Sequence, residues 1–209
     1  MTIATRKERQ KEELKSRILE AAKALFIEKG FEQTSIRTIA EKIEYSPTTI
    51  YLYFKDKDDM FYALHQEGFT LLNQYFRPLA HVKDPFERLK AISRAYVTFA
   101  LENPEFYNLM FILQSPLKAA MKDSGDWPEG ERAFDFLVST VRECEAAGYF
   151  EGFEPEVFAF TTWSMVHGIC SINICCRQNV VSEANRENLV QKATEMVVEI
   201  LTRMPQRPQ

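Results

Sequence analysis

"SIRTIAEKIEYSPTTIYLYF", residues 35–54, holds two short helical patterns split by a turn. In the first, Thr34 or Ser35 offers a cap, and Ile36, Ile39, Ala40 and Ile43 recur at helical spacing as an inner face. In the second, Ser46 stands at the cap position and Pro47 at the first helical turn, where a missing N–H costs nothing. At about 100° per residue, Ile50 and Phe54 share one side, Thr48 and Leu52 point away, and Thr49, Tyr51 and Tyr53 flank them. Two short helices joined tightly after a longer one form a helix-turn-helix pattern over about residues 35–54. An outward face of Thr, Leu and Tyr is ill suited to water, where Lys and Glu would serve. It suits a DNA major groove: Thr methyls and Leu meet thymine methyls, Thr hydroxyls reach base edges, and Tyr hydroxyls reach phosphates. The helix carries no Arg, Asn or Gln, so bidentate readout of guanine or adenine is unavailable from it, and methyl contacts and DNA shape must carry more of the specificity.

Working outward, almost every other segment also reads as helix. "LKSRILEAAKALFIEKG" places Leu14, Ile18, Ala21, Ala22, Leu25 and Phe26 on one face and stops at Gly30. A long helix follows Lys55 and Lys57. "DPFE" (84–87) has the spacing of a capping box, "NPEF" (103–106) repeats the proline start with Asn103, and a loop at 122–131 precedes a helix closed by Gly148. Two last helices are expected over about 155–178 and 183–203. No alternating strand pattern stands out, so the fold expected is all-α with about nine helices. Residues 12–60 are too few to bury a core without help; residues 61–205 have long helices with wide apolar faces. The layout expected is a small module on a larger helical body.

The formal net charge is −4, yet residues 1–17 carry six Lys/Arg against three Glu, which places positive potential at the N-terminus. Taken alone, that charge reads as a solvated arm on a protein that is not, as a whole, an obvious polyanion binder. Cys144, Cys170, Cys175 and Cys176 lie inside helical patterns without a Cys-x-x-Cys pair, and His65 and His81 add no ligand spacing, so buried reduced thiols and no metal or other cofactor are expected. No apolar run reads as long enough to span a bilayer, and a cytosolic protein without a membrane partner is expected. No Ser/His/Asp set, phosphate loop or catalytic carboxylate pair is visible, which argues against an enzyme.

The stretch "ILEAAKALFIEKGFEQTSIRTIAEKIEYSPTTIYLYFKDKDDMF" closely resembles the N-terminal domain of the TetR family of bacterial transcriptional repressors. The Ala-Ala of the first helix, the Phe-x-x-x-Gly-Phe stop, Thr-Ser-Ile-Arg-x-Ile-Ala and Ile-Tyr-x-Tyr-Phe-Lys-x-Lys carry the likeness over roughly residues 14–62. The resemblance implies that Arg37, Thr48, Thr49, Tyr51, Leu52, Tyr53 and Lys57 meet DNA. Thr34, Ser35, Ser46, Pro47 and Lys55 complete the candidate surface. Pro47, Thr48 and Leu52 depart from common choices in the family, so the base preference is expected to be this chain's own. The resemblance further implies a homodimer on a palindromic operator of double-stranded DNA, released by a small-molecule inducer.

"NPEFYNLMF" and "WSMVHG" resemble a C-terminal domain found in one branch of the same family, which implies ligand sensing, and dimerisation through the last two helices. Phe99, Tyr107, Met110, Phe111, Phe134, Trp163 and His167 are the candidate pocket liners, although aromatic and Met residues at helical spacing are more often plain core. Gly168 reads as a point of close helix approach. A DNA-binding protein without an inducer remains the alternative, and a core without a pocket would favour it.

Overall fold

The computed structural model describes residues 3–113 and 128–204 and is all-α among them. Among the described residues ten α-helices follow in order: α1 (Ile3–Lys29), α2 (Ile36–Lys42), α3 (Pro47–Tyr51), α4 (Lys57–Phe76), α5 (Pro85–Glu102), α6 (Pro104–Tyr107), α7 (Pro128–Ala146), α8 (Pro155–Ile174), α9 (Glu183–Arg186) and α10 (Leu189–Arg203). A 3₁₀ turn (Arg77–His81) follows α4, and one π-helical turn (Asn108–Ile112) follows α6. Most of the expected 122–131 loop lies outside the described residues, and the chain is already helical from Pro128.

The chain divides into two compact units. The first holds the described residues up to Gly68 together with 105–113. Its core joins Ile18, Ala22, Leu25 and Phe26 of α1 to Ile39 and Ala40 of α2, Ile50 of α3, and Met60, Phe61 and Leu64 of α4. Leu109, from the π-helical turn, is fully buried in the same cluster. A module as small as the sequence suggested buries too little apolar surface alone, and the later segment adds to it. Phe26, Phe31 and Phe61 form an aromatic triangle with centroids 5.2–5.6 Å apart. Gly30 closes α1 with a φ of +82°, a conformation open to glycine at little cost. Gly68 is the glycine of close approach here, since a Cβ on it would come within 2.5 Å of Met110 Sδ. At Gly168 a Cβ would meet nothing within 4 Å, so the close approach expected there is not made within the protomer.

Buried in this unit, His65 packs on the Phe61 ring at 5.2 Å. Burial pushes its pKa down to about 4, whereas in the unfolded chain it titrates near the ordinary ~6.5. The folded state thus resists a proton that the unfolded state accepts. Its stabilisation is complete above pH ~6.5 and is lost as pH falls toward ~4, by about 3 kcal/mol when fully developed. Urea unfolding at neutral pH and at about pH 4.5 should show the wild type losing more stability than His65→Leu, the difference isolating this group from the carboxylates.

The second unit comprises residues 69–104 and the described residues from Pro128 onward. Here α5 is central, packed against α7, α8 and α10. Its Leu89, Ile92, Val97 and Phe99 meet a core that includes Val141, Val166, Val198 and Leu201. Asp84 caps α5 by accepting from the N–H groups of Phe86 and Glu87, both at 2.9 Å. Glu87 does not reach back to complete a box; it pairs with Lys90 at 2.6 Å. Buried Arg88 donates to Thr140 Oγ1 and to the Val82 carbonyl, and pairs with Glu143. Arg94 grips Glu195 of α10 with two bonds of 2.7 Å, which lowers the Glu195 pKa. Asn103 does not begin the next helix with its side chain; its amide donates to the Phe99 carbonyl at 3.1 Å and backs the end of α5.

Two helix boundaries and one composition differ from expectation. Helix α8 ends at Ile174 instead of about 178, because Cys176 turns to a positive φ of 54°. Cys175 and Cys176 are consequently exposed, and only Cys144 and Cys170 are buried thiols, each pushed up to about 12 by burial. The helix expected over 183–203 is broken at Asn188, whose φ of 53° uses the left-handed tolerance of asparagine. Finally, α8 does have the length and composition of a membrane-crossing helix, with twenty largely apolar residues. It carries one charged residue, Glu156. One side, including Phe158, Val166 and Cys170, packs in the core, while Val157, Phe160, Met165 and Ile172 are exposed. A bundle helix with apolar residues on both sides has the same length and composition.

Candidate nucleic-acid interface

The turn between α2 and α3 places the candidate face. The Tyr45 N–H donates to the Ala40 carbonyl at 3.0 Å, and Glu44 takes a φ of 62° to let the chain reverse. That conformation costs a non-glycine residue roughly 1–2 kcal/mol, which the surrounding core sustains. Ser46 then caps α3 by accepting from the Thr49 N–H at 3.2 Å, with Pro47 at the first helical position. The helix is five residues long and continues as a turn: the N–H groups of Tyr53 and Phe54 both donate to the Ile50 carbonyl.

Ile50 and Phe54 are buried, at 0% and 3% exposure, while Tyr51 and Leu52 stand at 57% and 75%. Thr48, Ser46 and Pro47 are exposed beside them, and Thr49 and Tyr53 are half-buried. Thr49 is occupied locally, its hydroxyl 3.0 Å from that of Ser46. Ser35 caps α2 in a reciprocal box with Thr38 and is itself exposed. Arg37 is 82% exposed and held only by Glu41 at 3.0 Å, a surface pair worth roughly 0–1 kcal/mol and readily exchanged for another anion.

Two candidates behave differently. Thr34 is 2% exposed, and its hydroxyl donates to the carbonyls of Leu25 and Gly30, so it serves the end of α1 and leaves the exposed set. Lys57 donates to the Phe31 carbonyl at 3.0 Å and lies over the Phe31 ring at 4.2 Å. It therefore ties α4 to the end of α1. Lys55 is exposed, and its N–H donates to Asp59 at 3.0 Å.

In the second unit, three of the candidate pocket liners come together. Phe134 and Trp163 have centroids 6.1 Å apart, and Trp163 lies 5.5 Å from the His167 ring. Tyr96, which sequence reasoning missed, places its hydroxyl 2.9 Å from His167 Nδ1. Burial holds the His167 pKa below its ordinary value. Phe99 is fully buried against Tyr75. Tyr107, Met110 and Phe111 belong to the first unit, where Tyr107 and Phe111 rings are 5.2 Å apart. The pairing of Tyr96 with His167 spans 71 positions, and no local signal announces it.

Comparison with known proteins agrees with this architecture. A family model described as "Bacterial regulatory proteins, tetR family" matches residues 18–64, and one for a "Tetracyclin repressor-like, C-terminal domain" matches residues 89–197. The chain is 28% identical over 162 residues to the HTH-type transcriptional regulator HbdR of Aromatoleum sp. (strain CIB), covering 75% of this chain and 68% of that protein. It is 27% identical over 113 residues to YfiR of Bacillus subtilis, an uncharacterised HTH-type transcriptional regulator, covering 46% of this chain but only 55% of that relative's length. In structure it is similar to the fatty acid degradation regulator FadR from Bacillus halodurans, with a TM-score of 0.71 at 17% identity over 91% of this chain and 97% of that one. PfmR from Thermus thermophilus matches with a TM-score of 0.66 at 22% identity, over 88% and 97% of the two chains. With one family model on the helix-turn-helix and the other covering half of the chain, the protein belongs to the TetR family of bacterial regulatory proteins.

Proposed function

We propose that the protein is a cytoplasmic, sequence-specific DNA-binding transcriptional repressor and not an enzyme. It acts as a homodimer on a palindromic operator and is released by a small-molecule inducer. The observation that carries the reading is the two-sided α3: Ile50 and Phe54 anchor it in the core, and Thr48, Tyr51 and Leu52 are presented to the outside. Around them, Ser35, Arg37, Ser46, Pro47, Thr49, Tyr53 and Lys55 extend the DNA face, with Lys57 holding its base in place. Phosphates position the duplex, and Thr and Leu read base edges.

Dimerisation uses α8 and α10. Their exposed residues include Val157, Phe160, Met165, Ile172, Met196 and Ile200, an apolar surface of the kind that subunit interfaces cover. The inducer binds in the helical body near Phe134, Trp163 and His167, with the Tyr96–His167 pair as its polar anchor. It acts by binding one arrangement of the protein better than the other.

Genomic footprinting of the purified protein tests the reading. The expected result is a protected palindrome whose half-sites lie about one helical turn apart or a multiple of it, bound with an affinity that falls steeply with salt. A protected site without two-fold symmetry, or no protection at low salt, would sink it.

A further inference from the structure

Helix α1 begins at Ile3, far upstream of the residue 18 at which the family match starts. From Arg6 to Arg17 nearly every residue is exposed; only Leu14 is half-covered. The sequence pattern allowed a solvated arm here, but the arm is helical and its charges are sorted. At about 100° per residue, Lys7, Gln10, Lys11, Leu14 and Arg17 share one arc, the arc that runs on into buried Ile18. Glu12 lies on the far side. The favoured arc faces an open cleft of about 790 Å³, lined by Lys7, Glu8, Gln10, Lys11, Glu13, Leu14, Arg17, Tyr45 and Tyr53. Of its two acids, Glu13 is already paired with Arg9 at 2.8 Å. Arg17 is steadied over the Tyr45 ring at 5.5 Å.

We propose that this cleft holds a stretch of DNA sugar–phosphate backbone, gripped by Lys7, Lys11 and Arg17, next to the groove that α3 enters. The proposal rests on the reading of α3 as the DNA-binding helix. Continuity argues for DNA as the occupant: Tyr53, two residues past the end of α3, lines the cleft, and Tyr45 sits in the turn before α3. The chemistry agrees, since one wall supplies cations and the other phenol hydroxyls, both of which bind phosphate oxygens. Lys7 and Lys11 are one turn apart, about 6 Å along the helix axis, so both reach the same strand. The grip adds affinity without base preference.

The test is a salt titration of binding to a short duplex of mixed sequence, using the full chain. Each phosphate contact contributes about 0.9 to the slope of log affinity against log salt. Lys7→Ala/Lys11→Ala should lower the slope by about 1.8 per engaged subunit, with the helical circular dichroism retained because Ala is the better helix former. Lys15→Ala, outside the cleft, should leave the slope unchanged. An unchanged slope in the double variant, with Lys55→Ala still lowering it, overturns the cleft and leaves the α3 reading standing. So does an equal effect per charge from Lys15→Ala, which would mean net charge alone. Failure of the wild type to bind the duplex at low salt overturns the α3 reading and this proposal with it.

Discussion

Ile50→Ala is expected to destabilise the first compact unit by about 2–5 kcal/mol, a large part of the ~5–15 kcal/mol that holds a typical domain together. Ile50 is fully buried among Phe26, Ile39 and Leu64 in the same core, and it is the inner anchor of a five-residue helix. Removing it leaves a cavity that so short a helix bridges poorly. Leu52→Ala, two residues on, should change stability by no more than about 0.5 kcal/mol, because Leu52 is 75% exposed. The two variants therefore separate folding from recognition. Urea unfolding should show a lowered midpoint for Ile50→Ala alone, and binding-site selection should show altered base preference for Leu52→Ala alone. Equal destabilisation by both, or unaltered selectivity in Leu52→Ala, would mean that α3 presents a different face.

Phe160→Glu combined with Ile172→Glu is expected to give a folded monomer that binds its operator about 10²–10⁴-fold more weakly. The magnitude follows from losing the second, tethered half-site. Phe160 and Ile172 are 55% and 51% exposed on the outer side of α8, and the opposite side of that helix packs in the core. Charges placed on the outer side should leave the protomer intact and oppose its pairing with a second copy. Light scattering at micromolar concentration reads the mass, and operator titration reads the affinity. Persistence of a dimer would move the interface away from α8.

Much of this was legible locally. The caps Ser35, Ser46 and Asp84 bond to N–H groups two or three residues on, so their chemistry needs no distant partner. The inner and outer faces of α3 follow from helical periodicity, and Ile50 and Phe54 lie where that periodicity puts them. What escaped was set by contacts far apart in sequence. Thr34 looked like surface but is buried because its hydroxyl meets the carbonyl of Leu25, nine residues back. Lys57 looked like a free cation but reaches Phe31, 26 residues away.

The body follows the same division. Glycine, proline and acid signals placed most of its helices, yet the early end of α8 exposed two cysteines that a longer helix would have carried inside the pattern. Leu109 completes the core of the helix-turn-helix unit, and Tyr96 meets His167; neither partner can be read from spacing. For this protein, short-range chemistry was enough for helices, caps and the two sides of α3, because a backbone of fixed period decides them. Which side chains are free to meet DNA or a ligand needed the folded chain, because burial and hydrogen-bond partners are shared between segments that the sequence keeps apart.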